Sequence, residues 1–197
     1  MSKQRIHIKV VVLGDPFVGK TAFIQTMNTG VYPHDYIPTI YDSYLPQFKV
    51  DNETIDVAFW DTAGQSDYAN LRTLSFPQTD VFMLCFSLIN RKSFENIKSI
   101  WLPEILHFDL NSNYILVGFQ SDRREEIKSN CSEDSSSDFI STNEGLKLSK
   151  EIEAEDYIEI SSKEQKNLNN ILHSCLNIWK KKHDIISNEK EFKCVIN

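Results

Sequence analysis

The residues of this chain best suited to chemistry are Gly14, Asp15, Pro16, Phe17, Val18, Gly19, Lys20 and Thr21, which fit G-x-x-x-x-G-K-[ST]. Glycines at both ends of such a loop let backbone N–H groups turn inward around a phosphate. A helix starting at its end adds the positive pole of its dipole. Lys20 can reach terminal phosphates, the Thr21 hydroxyl can ligate Mg²⁺, and Ala22 follows in the opening helical turn. The blander reading is a glycine-rich turn with a solvated lysine. The apolar run Ile8–Leu13 just ahead argues against it, because strand, loop and helix start are the context in which this pattern cradles phosphate. A second group, Asp61, Gly64 and Gln65, follows the strand-like run Thr54–Trp60. A carboxylate at a strand end can hold Mg²⁺ through its water shell. Glycine lets a backbone N–H approach a terminal phosphate closely. The Gln65 amide, donor and acceptor at once, can orient an attacking water. The competing reading is an Asp helix cap followed by a turn.

These groups need elements that bring them together. Ile6–Leu13 reads as a buried strand and Lys20–Asn28 as the helix leaving the phosphate loop. Val31–Tyr41 reads as a loop. Ser43–Val50 and Thr54–Trp60 read as a hairpin around Asp51-Asn52, with Pro46 placing the first of them at an edge. Val81–Leu88, Tyr114–Gly118 and Tyr157–Ile160 are further strands. Ser93–His107, Gly145–Ile152 and Leu168–Lys182 are helices, and Pro103 should kink or stop the first. Such alternation predicts a doubly wound α/β sheet, which binds ligands beyond the carboxyl ends of its strands. The phosphate loop, Asp61, Asp122 and Ser161 all follow a strand and so share one sheet edge. The serine-rich, acidic stretch Ser129–Asp138 and the polar residues after Lys182 should bury little.

A length of 197 residues, 41% hydrophobic and 25% charged, suits one globular domain. A formal net charge of −7 argues against a general nucleic-acid binder. No apolar run reaches membrane-span length, and the N-terminus leads into a strand rather than a signal-peptide core. Cys85, Cys131, Cys175 and Cys194 show neither a C-x-x-C pair nor zinc spacing, so free thiols and the cytosol are expected.

Several longer runs carry a family resemblance: Tyr36-Ile37-Pro38-Thr39-Ile40-Tyr41, Trp60 to Gln65, Leu74 to Phe82, Cys85-Phe86-Ser87-Leu88 and Ser93-Phe94-Glu95-Asn96. On these the chain resembles the Ras-superfamily small GTPases, and within them the Rho/Rac type, from about Ile6 to Lys182. The resemblance implies a P-loop NTPase G-domain over 1–182: a mostly parallel six-stranded sheet with one antiparallel edge strand and helices on both faces. A variable region at about 123–140 and a tail over 183–197 complete it. It implies binding of GTP and GDP with Mg²⁺ and slow hydrolysis. Lys20 and Gln65 would be catalytic, and Thr21, Thr39 and Asp61 would meet the metal. Tyr32 would pack against the base and Tyr36 would close over the phosphates. Loops at about 30–42 and 61–77 would switch with the nucleotide. A monomer is expected, partnered by effectors (cytoskeletal regulators among them), an exchange factor, an activating protein and a dissociation inhibitor.

The chain departs from this pattern in three places. Where relatives read guanine with Asn/Thr-Lys-x-Asp, it has Phe119-Gln120-Ser121-Asp122. Asp122 keeps the two acceptors that meet guanine's paired N–H donors, although a helix cap is its other reading. Gln120 replaces the lysine whose stem covers the base. Ser161-Ser162-Lys163 stands in for the family's Ser-Ala-Lys/Leu. Pro16 replaces a glycine and Phe17 the Rho alanine. Proline at that position should weaken the response to an activating protein's arginine. This leaves open whether the chain hydrolyses GTP as a timer or binds it with little turnover; a nucleotide kinase on the same loop is the third alternative. Cys194-Val195-Ile196-Asn197 fits C-a-a-X, which implies prenylation of Cys194 and the cytoplasmic face of a membrane. Lys180–Lys182 would be either a second membrane signal or a solvated helix end.

Overall fold

Strand β1 (Ile6–Gly14) is covered on both faces, and its alternation divides the core in two. Ile6, Ile8, Val10 and Val12 pack on one side with Phe23, Phe59 and Leu172. Val11 and Leu13 pack on the other with Phe82, Ile97 and Trp101. Period-two side chains buried on both faces are what a central parallel strand requires. The computed structural model describes residues 5–33, 41–50, 53–130 and 139–193. Its sheet comprises β1, β2 (Tyr41–Tyr44), β3 (Gln47–Val50), β4 (Glu53–Thr62), β5 (Val81–Ser87), β6 (Tyr114–Phe119) and β7 (Tyr157–Glu159). The strand order is β2-β4-β1-β5-β6-β7, with β3 also paired to β4.

The antiparallel edge is present, but in two pieces rather than one. β2 and β3 both pair antiparallel with β4. Pro46 falls between them, and its carbonyl accepts from Val57 N–H at 3.1 Å. Proline brings no N–H to the ladder, so the edge breaks there and the sheet has seven strands instead of six. β1 pairs parallel with both β4 and β5, β5 with β6, and β6 with β7. The carboxyl ends of β1, β4, β5 and β6 therefore lie on one edge.

The helices are α1 (Lys20–Thr29), α2 (Ala69–Thr73), α3 (Arg91–Asn96), α4 (Leu102–Phe108), α5 (Ser121–Asn130), α6 (Thr142–Glu151) and α7 (Leu168–Lys193). Helix α1 stops at Gly30, whose left-handed backbone (φ 72°) returns its N–H to the Thr26 carbonyl. Pro103 does not end the helix expected over Ser93–His107. A π turn over Ile97–Trp101 joins α3 to α4, and the Leu102 N–H bonds the Ile97 carbonyl five residues back. The wider turn precedes the residue that has no N–H to give. Helix α6 starts earlier than expected because Ser141 and Glu144 form a reciprocal capping box. Helix α5 forms where no element was foreseen, and α7 runs on past Lys182 to Lys193. No helix of the described residues is long and apolar enough to cross a membrane.

Candidate functional site

The loop between β1 and α1 is shaped by its glycines. Gly14 has φ 152°, and a Cβ there would lie 2.2 Å from the Cys85 carbonyl oxygen, so only glycine lets the loop start this close to β5. Gly19 has φ 113° at the start of α1. Phe17 is left-handed as well (φ 64°), a strained choice for a bulky residue, and its side chain is 70% exposed. Lys20 is buried, and its Nζ donates to the carbonyls of Gly14 at 2.8 Å and Asp15 at 2.9 Å. The ammonium is thus bent back over the loop. Burial pushes its pKa below the ordinary lysine value, while the nearby Asp61 charge opposes that shift.

Asp61 ends the parallel register of β4, opposite Val12 of β1, and is completely buried. Thr62 Oγ1 donates to the Val12 carbonyl at 2.6 Å and ties that strand end down. A buried carboxylate beside Lys20, with the Thr21 hydroxyl at the start of α1, suits a hard divalent cation. Among the described residues no three His, Cys, Asp or Glu side chains surround one point. A metal here would draw the rest of its shell from phosphate and water, as Mg²⁺ usually does. Gly64 lies against the phosphate loop: a Cβ on it would be 2.4 Å from Pro16 N and 2.5 Å from both Asp15 C and the Gly14 carbonyl oxygen. Gln65 is exposed and precedes a short 3₁₀ turn over Ser66–Tyr68.

Two cavities open along this edge. One, about 350 Å³, lies between the phosphate loop and Gly64-Gln65. The other, about 260 Å³, is walled by Tyr32, Asp122, Arg123, Ser162 and Lys163. Gly19, Ala22, Tyr32 and Gln120 line both, so they form one elongated cleft with the glycine loop and Gly64-Gln65 at one end and Asp122 at the other. Gln120 is left-handed (φ 67°), and its Oε1 accepts from the Ser87 hydroxyl. Asp122 lies inside the first turn of α5, which starts at Ser121, and so does not precede the helix as a cap would. The Ser161 hydroxyl accepts from the Glu164 N–H at 3.0 Å; Ser162 is buried and Lys163 exposed. Phe119 makes no polar bridge. It is buried edge-on to Phe23, with ring centroids 5.8 Å apart, and its Cδ1 would lie 3.4 Å from a Cβ on Gly19. An apolar prop under the loop thus stands at this position.

Six supporting residues went unread in the sequence: Asn96, Trp101, Arg72, Glu104, Arg124 and Glu159. Asp15 does not face the cleft with both oxygens idle: Asn96 Nδ2 donates to Oδ2 and Trp101 Nε1 to Oδ1, each at 2.7 Å. Arg72, also buried, joins Glu104 to the backbone around Gly64. Asn96, Trp101 and Glu104 lie along the α3–α4 run and Arg72 on α2, so no spacing pattern linked them. At the Asp122 end, buried Arg124 pairs with Glu159, which also accepts from the Tyr157 hydroxyl at 2.7 Å. Burial alone would raise the Glu159 pKa, but these hydrogen bonds outweigh it and hold the carboxyl below its ordinary value. Tyr36, Thr39 and Cys194 lie outside the described residues.

A glycine loop running from a parallel strand into a helix, a buried lysine and a buried acid at the next strand end define a P-loop nucleotide-binding domain. Comparison with known proteins narrows this. The pattern of the Ras family matches residues 9–181. The chain is 38% identical over 182 residues to the Ras-like GTP-binding protein RhoL of Drosophila melanogaster, covering 92% of each. The chain therefore belongs to the Ras family and is a small Ras-like GTPase, a GTP hydrolase. Such proteins bind GTP and GDP, typically with Mg²⁺, and work with effectors, exchange factors and activating proteins.

Proposed function

We propose that this chain is a Rho/Rac-like member of the family, a switch that binds GTP, hydrolyses it slowly and presents its nucleotide state to effectors, cytoskeletal regulators among them. The observation that carries the reading is the single cleft lined by the phosphate loop and Gly64-Gln65 at one end, by Asp122 at the other and by Tyr32 along both, with the Asp61 carboxylate buried behind it. Support for the subfamily comes from the similarity to RhoL and from the runs around Trp60–Gln65 and Leu74–Phe82.

In this reading the backbone N–H groups of the loop from Asp15 to Thr21, Pro16 excepted because it has none, and the Lys20 ammonium grip the phosphates. Lys20 trades its carbonyl partners for phosphate oxygens in a dry site, where such contacts are strong. Mg²⁺, when bound, neutralises charge on the terminal phosphates. Thr21 and Asp61 would hold it, and Thr39 would join them when a third phosphate is present. Gly64 offers its N–H to that phosphate, and the Gln65 amide orients the attacking water. Loss of the third phosphate releases the loops that carry Thr39 and Gly64, which is the switch. At the base end Asp122 accepts from guanine's paired N–H groups, Ser161-Ser162-Lys163 borders the base, Tyr32 packs against it and Tyr36 closes over the phosphates. Gln120 carries no four-carbon stem and is engaged by Ser87, so it covers the base less than a lysine would. Nucleotide release is correspondingly fast.

The arginines argue against a nucleotide kinase. Arg72 and Arg124 are buried in internal pairs and Arg91 bonds Glu144, so they are committed to the fold rather than to a second nucleotide. Pro16 favours one further reading, in which intrinsic hydrolysis persists but an activating protein adds little. Gly64 crowds the Pro16 nitrogen, and the exposed Phe17 ring stands beside it, where an incoming arginine would have to pass.

Two assays test the proposal. GTP-loaded protein should release phosphate in a single turnover with Mg²⁺ and lose that activity in chelator. GTP, but not ATP, should displace a fluorescent GDP analogue. Equal competition by ATP would overturn the guanine assignment. Strong stimulation by an activating protein of both wild type and Pro16→Gly would overturn the role given to Pro16.

A further inference from the structure

We propose that Arg72 is a positioning residue for Gln65: it fixes the backbone on both sides of Gly64 and so sets where the Gln65 amide meets the attacking water. The inference rests on the role of Gln65 proposed above. Arg72 is 3% exposed. One terminal nitrogen of its guanidinium donates to the Ala63 carbonyl at 2.8 Å and the Gln65 carbonyl at 2.9 Å. Those two carbonyls bracket Gly64. Nε and the other terminal nitrogen donate to the two Glu104 oxygens, both at 3.0 Å. The guanidinium also lies over the Trp101 ring, 4.8 Å from its centroid. The same indole donates to Asp15 in the phosphate loop at 2.7 Å. The loop that grips phosphate and the segment that presents Gln65 are thus indexed against one helical run, through Trp101 and Glu104.

The chemistry of the side chain fits the task. A guanidinium is a rigid planar fork that can bond a carboxylate on one side and two carbonyls on the other; an ammonium is a single point that cannot. A buried ion pair is a weak source of stability, because desolvation consumes much of its attraction. Its geometry is therefore more telling than its energy. Gln65 is exposed and precedes only a short 3₁₀ turn, so its own surroundings do little to place it. Reacting groups must be held closely, and a 1 Å error costs about 100-fold in rate.

The test uses the full chain loaded with GTP and Mg²⁺, with Arg72→Gln, Arg72→Lys, Glu104→Gln, Gln65→Leu and the double variant Arg72→Gln/Gln65→Leu. Single-turnover phosphate release reads hydrolysis, and release of a fluorescent GDP analogue reads the binding site. Hydrolysis should fall roughly 10- to 100-fold in Arg72→Gln and in Arg72→Lys, and less in Glu104→Gln, while GDP release stays within about two-fold of wild type. In the Gln65→Leu background Arg72→Gln should cost nothing further, because residues acting through one another do not add. Additive losses, a matching change in GDP release, or hydrolysis unchanged in the Arg72 variants would overturn the proposal. Wild-type hydrolysis by Gln65→Leu alone would overturn the role of Gln65 and this inference with it. If Arg72→Gln does not fold, Arg72→Lys and Glu104→Gln carry the same comparison.

Discussion

Adding one methyl group at Gly64 gives a sharp test of how the catalytic segment seats on the phosphate loop. The Cβ of Gly64→Ala would lie 2.4 Å from Pro16 N and 2.5 Å from both Asp15 C and the Gly14 carbonyl oxygen. Ordinary contact begins near 3.4 Å, so the overlap is close to 1 Å, and every atom met is backbone. No rotamer change relieves it. Either the Ala63–Gln65 segment lifts away or the phosphate loop deforms, and overpacking of this kind costs about 1–3 kcal/mol. The segment is the softer partner. The loop is pinned by Asn96 and Trp101, which both donate to the Asp15 carboxylate. Gly64→Ala should therefore displace Gln65 by about 1 Å and slow single-turnover GTP hydrolysis by about 100-fold. GDP affinity should hold, since the base end of the cleft is untouched. Hydrolysis within about three-fold of wild type would refute the close seating. So would a loss of GDP affinity as large as the loss of rate.

Three other outcomes are expected. Phe119→Asn restores the residue type of relatives but removes a buried ring packed on Phe23, so it should destabilise the fold by about 3–5 kcal/mol without tightening GDP binding; chemical denaturation and a GDP titration check both. The Arg91 ion pair and the Ser141 cap hold the Glu144 carboxyl at about 2, so its contribution is complete above the ordinary carboxylate value of 4.5 and is lost as pH falls from there toward 2. Glu144→Gln keeps a capping-box residue but should flatten that acid limb in a denaturation series, by under about 1 kcal/mol because the pair is partly solvated. Cys85 and Cys175 are fully buried, and burial pushes the Cys175 thiol up to about 12, so neither should be labelled by a thiol reagent at pH 8 until denaturant is added; peptide mapping of the native protein reads this directly.

The placement of Gly14–Thr21 and Asp61–Gln65 on one sheet edge was legible in the sequence because each is a contiguous run directly after an apolar strand. Local order is enough to state such a site, since strand ends share an edge whatever the details of packing. The central strands Ile6–Leu13, Val81–Leu88 and Tyr114–Gly118 were legible for the same reason: an unbroken apolar run has few alternatives. Helix α5 was missed because Ser121–Asn130 is almost entirely polar, with no apolar stripe to mark a face. What holds it are contacts distant in sequence: buried Arg124 reaching Glu159 on β7 and the Ile140 carbonyl, and Lys166 paired with Glu125. The early start of α6 did carry a signal, Ser141-x-x-Glu144, and could have been read.

By itself the sequence determined which backbone can wrap a phosphate, which acid follows which strand, and where proline must interrupt an edge strand. These are properties of neighbours along the chain. Tertiary structure decided that Phe119 is a prop rather than a missing ligand, that Asp15 is held by Asn96 and Trp101, and that Arg72 grips the carbonyls around Gly64. Those contacts join residues from 7 to 96 positions apart on separate elements. Their partners are fixed only when the sheet and helices pack, and no spacing in the chain encodes them.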